Sequence, residues 1–338
     1  MGTVKPVSGE RWDWVDAAKG IGIILVVYGH VARGLFHAGI YKDQTSFDLI
    51  DKIIYSFHMP LFFFLSGIFC ISSFEKRGMK LVFNKIDTVF YPYILWSLIQ
   101  GSVEIAMSNF TNQHVSPESL FAMLWQPRAQ FWFLYTLFFV FLLNTGVLFM
   151  LKRLAPLKKT WPLILMAIAV ILIICKPLMP ALFMFQSIAD YDIYFSFGTI
   201  FWFLNKGAID IKALLPLALL FIVMQYAVFF TGAIILEQQL TVILLASIGI
   251  LTVIGIAQRS RFFSVLGLYS MEIYLMHVIF GSGMRILVQK GLAVEALLPH
   301  LIIGTLAGVL LPILATRWIH NIRFEFLLRP PRLIRLGS

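Results

Sequence analysis

Residues 11–37 read RWDWVDAAKGIGIILVVYGHVARGLFH, a polar entry that runs into an apolar segment with a histidine at its middle. At 100° per residue the step from Lys19 to His30 returns to within about 20° of the same helix face, and at 1.5 Å per residue it covers roughly 16 Å. A cation and an imidazole therefore share one stripe. Asp16 lies one turn before Lys19, and Arg33 and His37 carry the stripe past His30, so one face stays polar along an otherwise lipid-like helix. Such a face must look inward, at protein or water, because ionisable groups are costly in hydrocarbon.

The remainder of the chain is equally apolar. Of its 338 residues 59% are hydrophobic and only 13% charged, and the mean hydropathy is +0.86, far from soluble domains. These values predict an all-α, polytopic integral membrane protein. Runs long enough to cross about 30 Å of hydrocarbon fall near 19–38, 53–73, 88–107, 131–151, 162–182, 193–205, 213–231, 238–257, 268–288 and 297–317, which predicts about ten transmembrane helices, the sixth being short. With both termini in the cytoplasm, 20 of the 27 lysines and arginines lie on the inner side, so the positive-inside rule selects that orientation.

The net charge of +10 is thus explained by topogenesis; the basic residues form short clusters between apolar runs, not a stripe with interleaved aromatics, and no nucleic-acid partner is expected. Two cysteines in so long a chain, Cys70 and Cys175, predict free thiols. The N-terminus shows no short apolar core with a small-residue cleavage site, so the first helix is expected to remain in the mature protein. The longest polar stretch, 108–130, holds Asn109, Asn112 and Pro117 and reads as a loop. We therefore expect one domain over 1–338, with a cytoplasmic segment at 1–18 and a basic cytoplasmic tail at 318–338.

Among chemistry-bearing residues His30 leads, because imidazole titrates near neutrality and can take a hydroxyl proton and return it. The alternative is a histidine that merely satisfies a polar contact between helices; the stripe shared with Lys19 favours function. His58, beside Met59 and Pro60, reads equally as interfacial or functional. His277 and Glu272 read as a buried hydrogen-bonded pair in preference to direct chemistry. Gly20, Gly22 and Gly29 are expected to let the first helix approach its neighbours closely. Ser66-Gly67 lacks the rest of a nucleophile elbow, and there is no phosphate loop, paired-carboxylate signature or zinc-ligand spacing, so no metal is expected.

Arg11, Asp16, Lys19-Gly20 and His30, then FHMPLFFFLSG at 57–67, FWFL at 131–134, YFSFG at 194–198 and SMEIYLMH at 270–277, together resemble the acyltransferase-3 membrane family, especially its fucose 4-O-acetylase-like branch. The basic residue followed by ten others and then histidine is the specific part. The resemblance implies about ten membrane helices in a bacterial inner membrane, cytosolic acyl-CoA, preferentially acetyl-CoA, as donor, and O-acylation of a hydroxyl on a surface glycan or its lipid-linked precursor. His30 then occupies the family's essential histidine position and Lys19 that of its basic partner, with Asp16 expected to orient that lysine; Lys19, Arg11, Arg77, Lys80 and Lys85 are expected to face the CoA phosphates, and His58, Trp132, Glu272 and His277 to contact substrate or back the site. The chain departs from the family where many members carry an arginine pair before the third helix: NKIDTVFYP keeps only Lys85 ahead of Pro92. Membrane lipids are obligatory partners, and a homo-oligomer is compatible with the sequence. Two rival classes share the ten helices and the polar stripe: a lipid-linked-sugar flippase or other transporter, and a non-catalytic subunit of a glycan assembly complex.

Overall fold

The computed structural model describes residues 13–107, 120–154, 157–205, 208–231, 238–260, 262–331 and 334–337. Every regular element among them is helical. Helix α1, Asp13–His37, has Asp13 and Asp16 in its first turn, where carboxylates complement the helix dipole. It stops at Gly39, whose φ of +72° supplies the left-handed residue that closes a helix C-terminus. Asp43 then caps α2, Gln44–Tyr55, accepting from the Thr45 and Ser46 amides.

The second expected crossing is a broken run: α2 gives way to α3, His58–Ile68, and to α4, Cys70–Arg77. Pro60 lacks the N–H that would bond back to Ser56, and its ring crowds that carbonyl, so the helix breaks at residues 56–57. A similar cause acts in the third. Helix α5, Lys80–Lys85, passes through a π turn at Ile86–Phe90 into α6, Tyr91–Ala106, and Pro92 again removes a helical hydrogen bond at the junction. The order continues with α7 Trp132–Leu154, α8 Trp161–Cys175, α9 Phe183–Asn205, α10 Ile211–Phe229, α11 Gln238–Ala257, α12 Ser264–Leu268, α13 Ser270–Ile286 and α14 Leu297–Asn321.

Eight helical runs among the described residues are long and apolar enough to cross a membrane. The other two expected crossings are helices as well, but differ from the expectation. The straight part of α6 has 16 residues, and α9 begins ten residues before the expected 193, carrying Asp190 and Asp192. Helix α9 is polar because it is enclosed by protein: Ser187, Asp192, Ser196 and Thr199 are buried alongside Ala189, Tyr194 and Phe195. Conversely α10 presents Leu215, Leu219, Ile222 and Val223 outward at helical spacing, the pattern of a lipid-facing helix.

Helix α1 runs through the middle, packed by α2, α3, α11, α12, α13 and α14. Two backbone approaches fix that arrangement. A Cβ on Gly20 would stand 2.0 Å from the Phe263 carbonyl oxygen, and one on Gly267 would stand 1.7 Å from that of Asp16, so α1 and α12 meet main chain to main chain. Helices α3 and α9 are clasped in the same way, with Gly67 against Phe195 and Gly198 against Phe64. The LSG and SFG stretches are thus packing devices. Gly22 and Gly29 meet the rings of Phe62 and Tyr55, as close approach requires. Both cysteines are free.

Candidate active site

The polar stripe of α1 opens onto a cavity of about 730 Å³. His30, Arg33, Gly34 and His37 line it at successive turns of α1, which is the consequence of the helical period. Helix α13 contributes His277, Ser282 and Arg285; α6 contributes Gln100 and Glu104; the turn before α7 contributes Arg128, Gln130 and Trp132. His300 and Gly304 of α14 complete the wall.

Two of the lining histidines, His30 and His277, stand together, with His58 close by. The His30 and His277 rings lie 5.0 Å apart at 57°, and His58 is near enough for its charge to act on His30. His277 Nδ1 is 2.8 Å from the Tyr274 carbonyl oxygen and 3.1 Å from that of Ile273, while His58 Nδ1 is 2.7 Å from the Ile54 oxygen. Carbonyls only accept, so Nδ1 carries the proton in each ring and Nε2 is left as an acceptor. Both Nε2 atoms are buried and have no protein partner.

Arg33, one turn beyond His30, donates from Nε and Nη2 to the two oxygens of Asp51 at 2.7 and 2.8 Å, and its guanidinium sits 3.4 Å over the Tyr55 ring. Tyr55 in turn stands edge-on to His58 at 4.4 Å. The bidentate pair and the ring hold a positive charge beside His30 in one orientation.

The opposite wall is a hydrogen-bonded chain. Arg128 Nη2 donates to Glu104 Oε2 at 2.7 Å, Gln100 Nε2 to Glu104 Oε1 at 2.8 Å, and Gln130 Nε2 to Gln100 Oε1 at 2.6 Å. The Tyr274 hydroxyl donates to the Gln130 carbonyl, joining this chain to the helix that carries His277.

The expected site residues separate into groups. His30, His277 and Trp132 line the cavity, with His58 close by. Lys19 is not on the cavity: its ammonium lies 3.6 Å from Asp16, one turn back on α1. Lys85 is near enough to Lys19 and Arg77 for their charges to act on it, and its ammonium rests 4.0 Å over the Phe141 ring. Arg77 and Lys80 are exposed, and Arg11 lies outside the described residues. Of these basic residues only Lys19 belongs to α1; Arg77 lies on α4 and Lys85 on α5.

The expected pairing of Glu272 with His277 is not formed. Five residues along a helix turn through about 140°, so the two side chains diverge. His277 takes backbone carbonyls instead, Glu272 Oε2 has no hydrogen-bond partner, and its charged neighbours are Arg329 and His320. Among the described residues no group of three or more His, Cys, Asp and Glu is placed to hold a metal ion. Sequence reading missed Asp51, Gln100, Glu104, Arg128 and Gln130 as site residues. Gln100 and Glu104, one turn apart inside an apolar run, were the available signal.

A bundle with eight runs long and apolar enough to cross a membrane among its described residues, and a cavity lined by His30 of the first helix and by His277, defines a class of membrane protein. The family model for an acyltransferase domain matches residues 12–317, and the chain belongs to the acyltransferase-3 family. It is also similar to the nodulation protein NolL of Mesorhizobium japonicum, 28% identical over 134 residues that make up 38% of this chain and 34% of that protein. NolL of Sinorhizobium fredii is 33% identical over 94 residues, 27% of this chain and 25% of its own length. The matched region thus spans about a third of one relative and a quarter of the other. No solved structure matches.

Proposed function

We propose that this protein is a membrane O-acyltransferase that moves an acetyl group from cytosolic acetyl-CoA to a hydroxyl of a surface glycan or its lipid-linked precursor. The observation that carries the reading is the layout along α1: Lys19, near enough to Lys85 of α5 for their charges to interact, as Arg77 of α4 is, stands towards one end, and roughly 16 Å further along the helix His30 lines the cavity. Charge-assisted contacts from these basic residues hold the phosphates of the donor, and the thioester extends toward His30. The orientation that serves this is ten crossings with both termini cytoplasmic, in a bacterial inner membrane.

A thioester is already activated, so the protein must orient two substrates, remove a hydroxyl proton and stabilise an oxyanion. His30 accepts the proton from the acceptor hydroxyl as its oxygen attacks the thioester carbonyl. Arg33, fixed by Asp51 and Tyr55, stands one turn away as the positive charge nearest the developing oxyanion. When the tetrahedral adduct collapses, the sulfur leaves and the imidazolium returns the proton to it. The acceptor leaves as its acetyl ester and CoA as the thiol.

The test is ligand stabilisation with turnover. A ligand that binds the folded state raises its apparent stability. Purified protein should therefore be stabilised against heat by millimolar CoA, and Lys19→Ala combined with Lys85→Ala should lose most of that shift. No shift with the unaltered protein, together with vesicle uptake of a lipid-linked sugar without CoA release, would move the protein to the transporter class.

A further inference from the structure

We infer that Gln100, Glu104, Arg128 and Gln130, with Trp132, form the acceptor subsite, and that its ligand is an uncharged sugar ring with adjacent hydroxyls. The inference rests on the acyl-transfer reading and adds to it the wall that recognises the acceptor.

Burying an amide or a carboxylate among membrane helices is costly unless it is hydrogen-bonded. Gln100 and Gln130 are each only 2% exposed. The bonds they make to one another would satisfy a simple brace between α6 and the turn before α7. A brace, however, belongs between helices, and these four side chains line the cavity that holds His30. They also keep spare capacity: Gln130 Nε2 has a second hydrogen, the Glu104 oxygens have further lone pairs, and Arg128 has four other N–H donors. Planar groups that offer donors and acceptors side by side fit vicinal hydroxyls, each of which both gives and takes a hydrogen bond.

Trp132, two residues past Gln130, adds half-buried aromatic surface to the same wall, braced by Tyr191 at 5.0 Å between ring centroids. Such surface suits the C–H face of a pyranose. The cavity volume falls inside the range of about 300–1,000 Å³ that small-ligand sites occupy. Charge favours a neutral sugar over an anionic one: two of the three arginines that line the cavity are already matched, Arg128 by Glu104 and Arg33 by Asp51, so an acidic ring would have to compete with those carboxylates. The chain ends through Tyr274 on the helix of His277, so a ring seated on this wall lies beside both histidines.

The experiment measures acetyl transfer from labelled acetyl-CoA to methyl glycosides of neutral hexoses and to methyl glucuronide. The unaltered protein should acetylate at least one neutral glycoside and discriminate against the glucuronide. Gln130→Met, which keeps the backbone carbonyl that Tyr274 uses, should raise the acceptor KM tenfold or more while CoA still stabilises the variant by the same Tm shift. Glu104→Gln should narrow the discrimination against glucuronide. Where Gln130→Met fails to show the CoA shift, Trp132→Leu is read in its place against the same two measures. An acceptor KM within twofold of the unaltered protein in a folded variant, or preference for the glucuronide, overturns the subsite. Absence of both CoA stabilisation and transfer in the unaltered protein overturns the acyl-transfer reading instead.

Discussion

Replacing His30 by glutamine keeps approximate size and hydrogen bonding but removes the ability to take a proton. Loss of a general base costs about 10² to 10⁴ in rate, or roughly 2.7 to 5.4 kcal/mol of barrier at 1.36 kcal/mol per tenfold. The structure places His30→Gln toward the lower end. His277 lies one ring spacing away, 5.0 Å between centroids, and its Nε2 is a free acceptor. A hydroxyl seated at residue 30 can therefore reach a second base, though misplaced, and a misplacement of about 1 Å already costs on the order of a hundredfold. We expect kcat to fall about a hundredfold in His30→Gln and at least a further tenfold when His277→Gln is added. The assay is release of CoA thiol by purified protein in nanodiscs, with the CoA-induced Tm shift reporting that each variant is folded. His30→Gln within threefold of the unaltered kcat refutes His30 as the base. A double variant no slower than His30→Gln alone refutes the reserve role of His277, since residues acting as one unit are non-additive.

Other outcomes follow from the packing and the orientation. Gly67→Ala would bring a methyl group to 1.9 Å from the Phe195 carbonyl oxygen, a main-chain atom that cannot step aside, so it should cost about 1–3 kcal/mol or more and lower Tm by several degrees. Gly146→Ala, with nothing within 4 Å, should instead raise Tm slightly, because alanine favours a helix interior by up to about 1 kcal/mol over glycine. Lys42→Cys should react with an impermeant maleimide in intact cells and Leu157→Cys only after permeabilisation; the reverse pattern inverts the membrane orientation. The Asp87 carboxylate accepts the amides of Leu336 and Gly337 at 3.2 and 2.7 Å, so Asp87→Ala should free the C-terminal segment and speed loss of a C-terminal epitope to carboxypeptidase; unchanged loss argues against that tether.

The sequence by itself determined α1 and its face, because helical periodicity is a local property: Asp16, Lys19, His30, Arg33 and His37 must lie on one side whatever surrounds them. It also determined helical crossings near the right positions, since an apolar run of membrane length has no other way to satisfy its backbone. Where the reading erred, tertiary context had intervened. The sixth crossing was expected at 193–205, yet α9 begins at Phe183, and its packing against α3 and α8 makes the buried Asp192 tolerable there. Glu272 and His277 looked like partners by proximity in sequence, but turn and tertiary packing send them to different surroundings. Only the fold could bring His277 to His30, nearly 250 residues away, or line Gln100, Glu104, Arg128 and Gln130 along one cavity from two separate segments. No periodicity encodes such meetings; they depend on which backbones glycine allows to touch, and Gly20, Gly67, Gly198 and Gly267 settle that by how closely the helices around α1 pack.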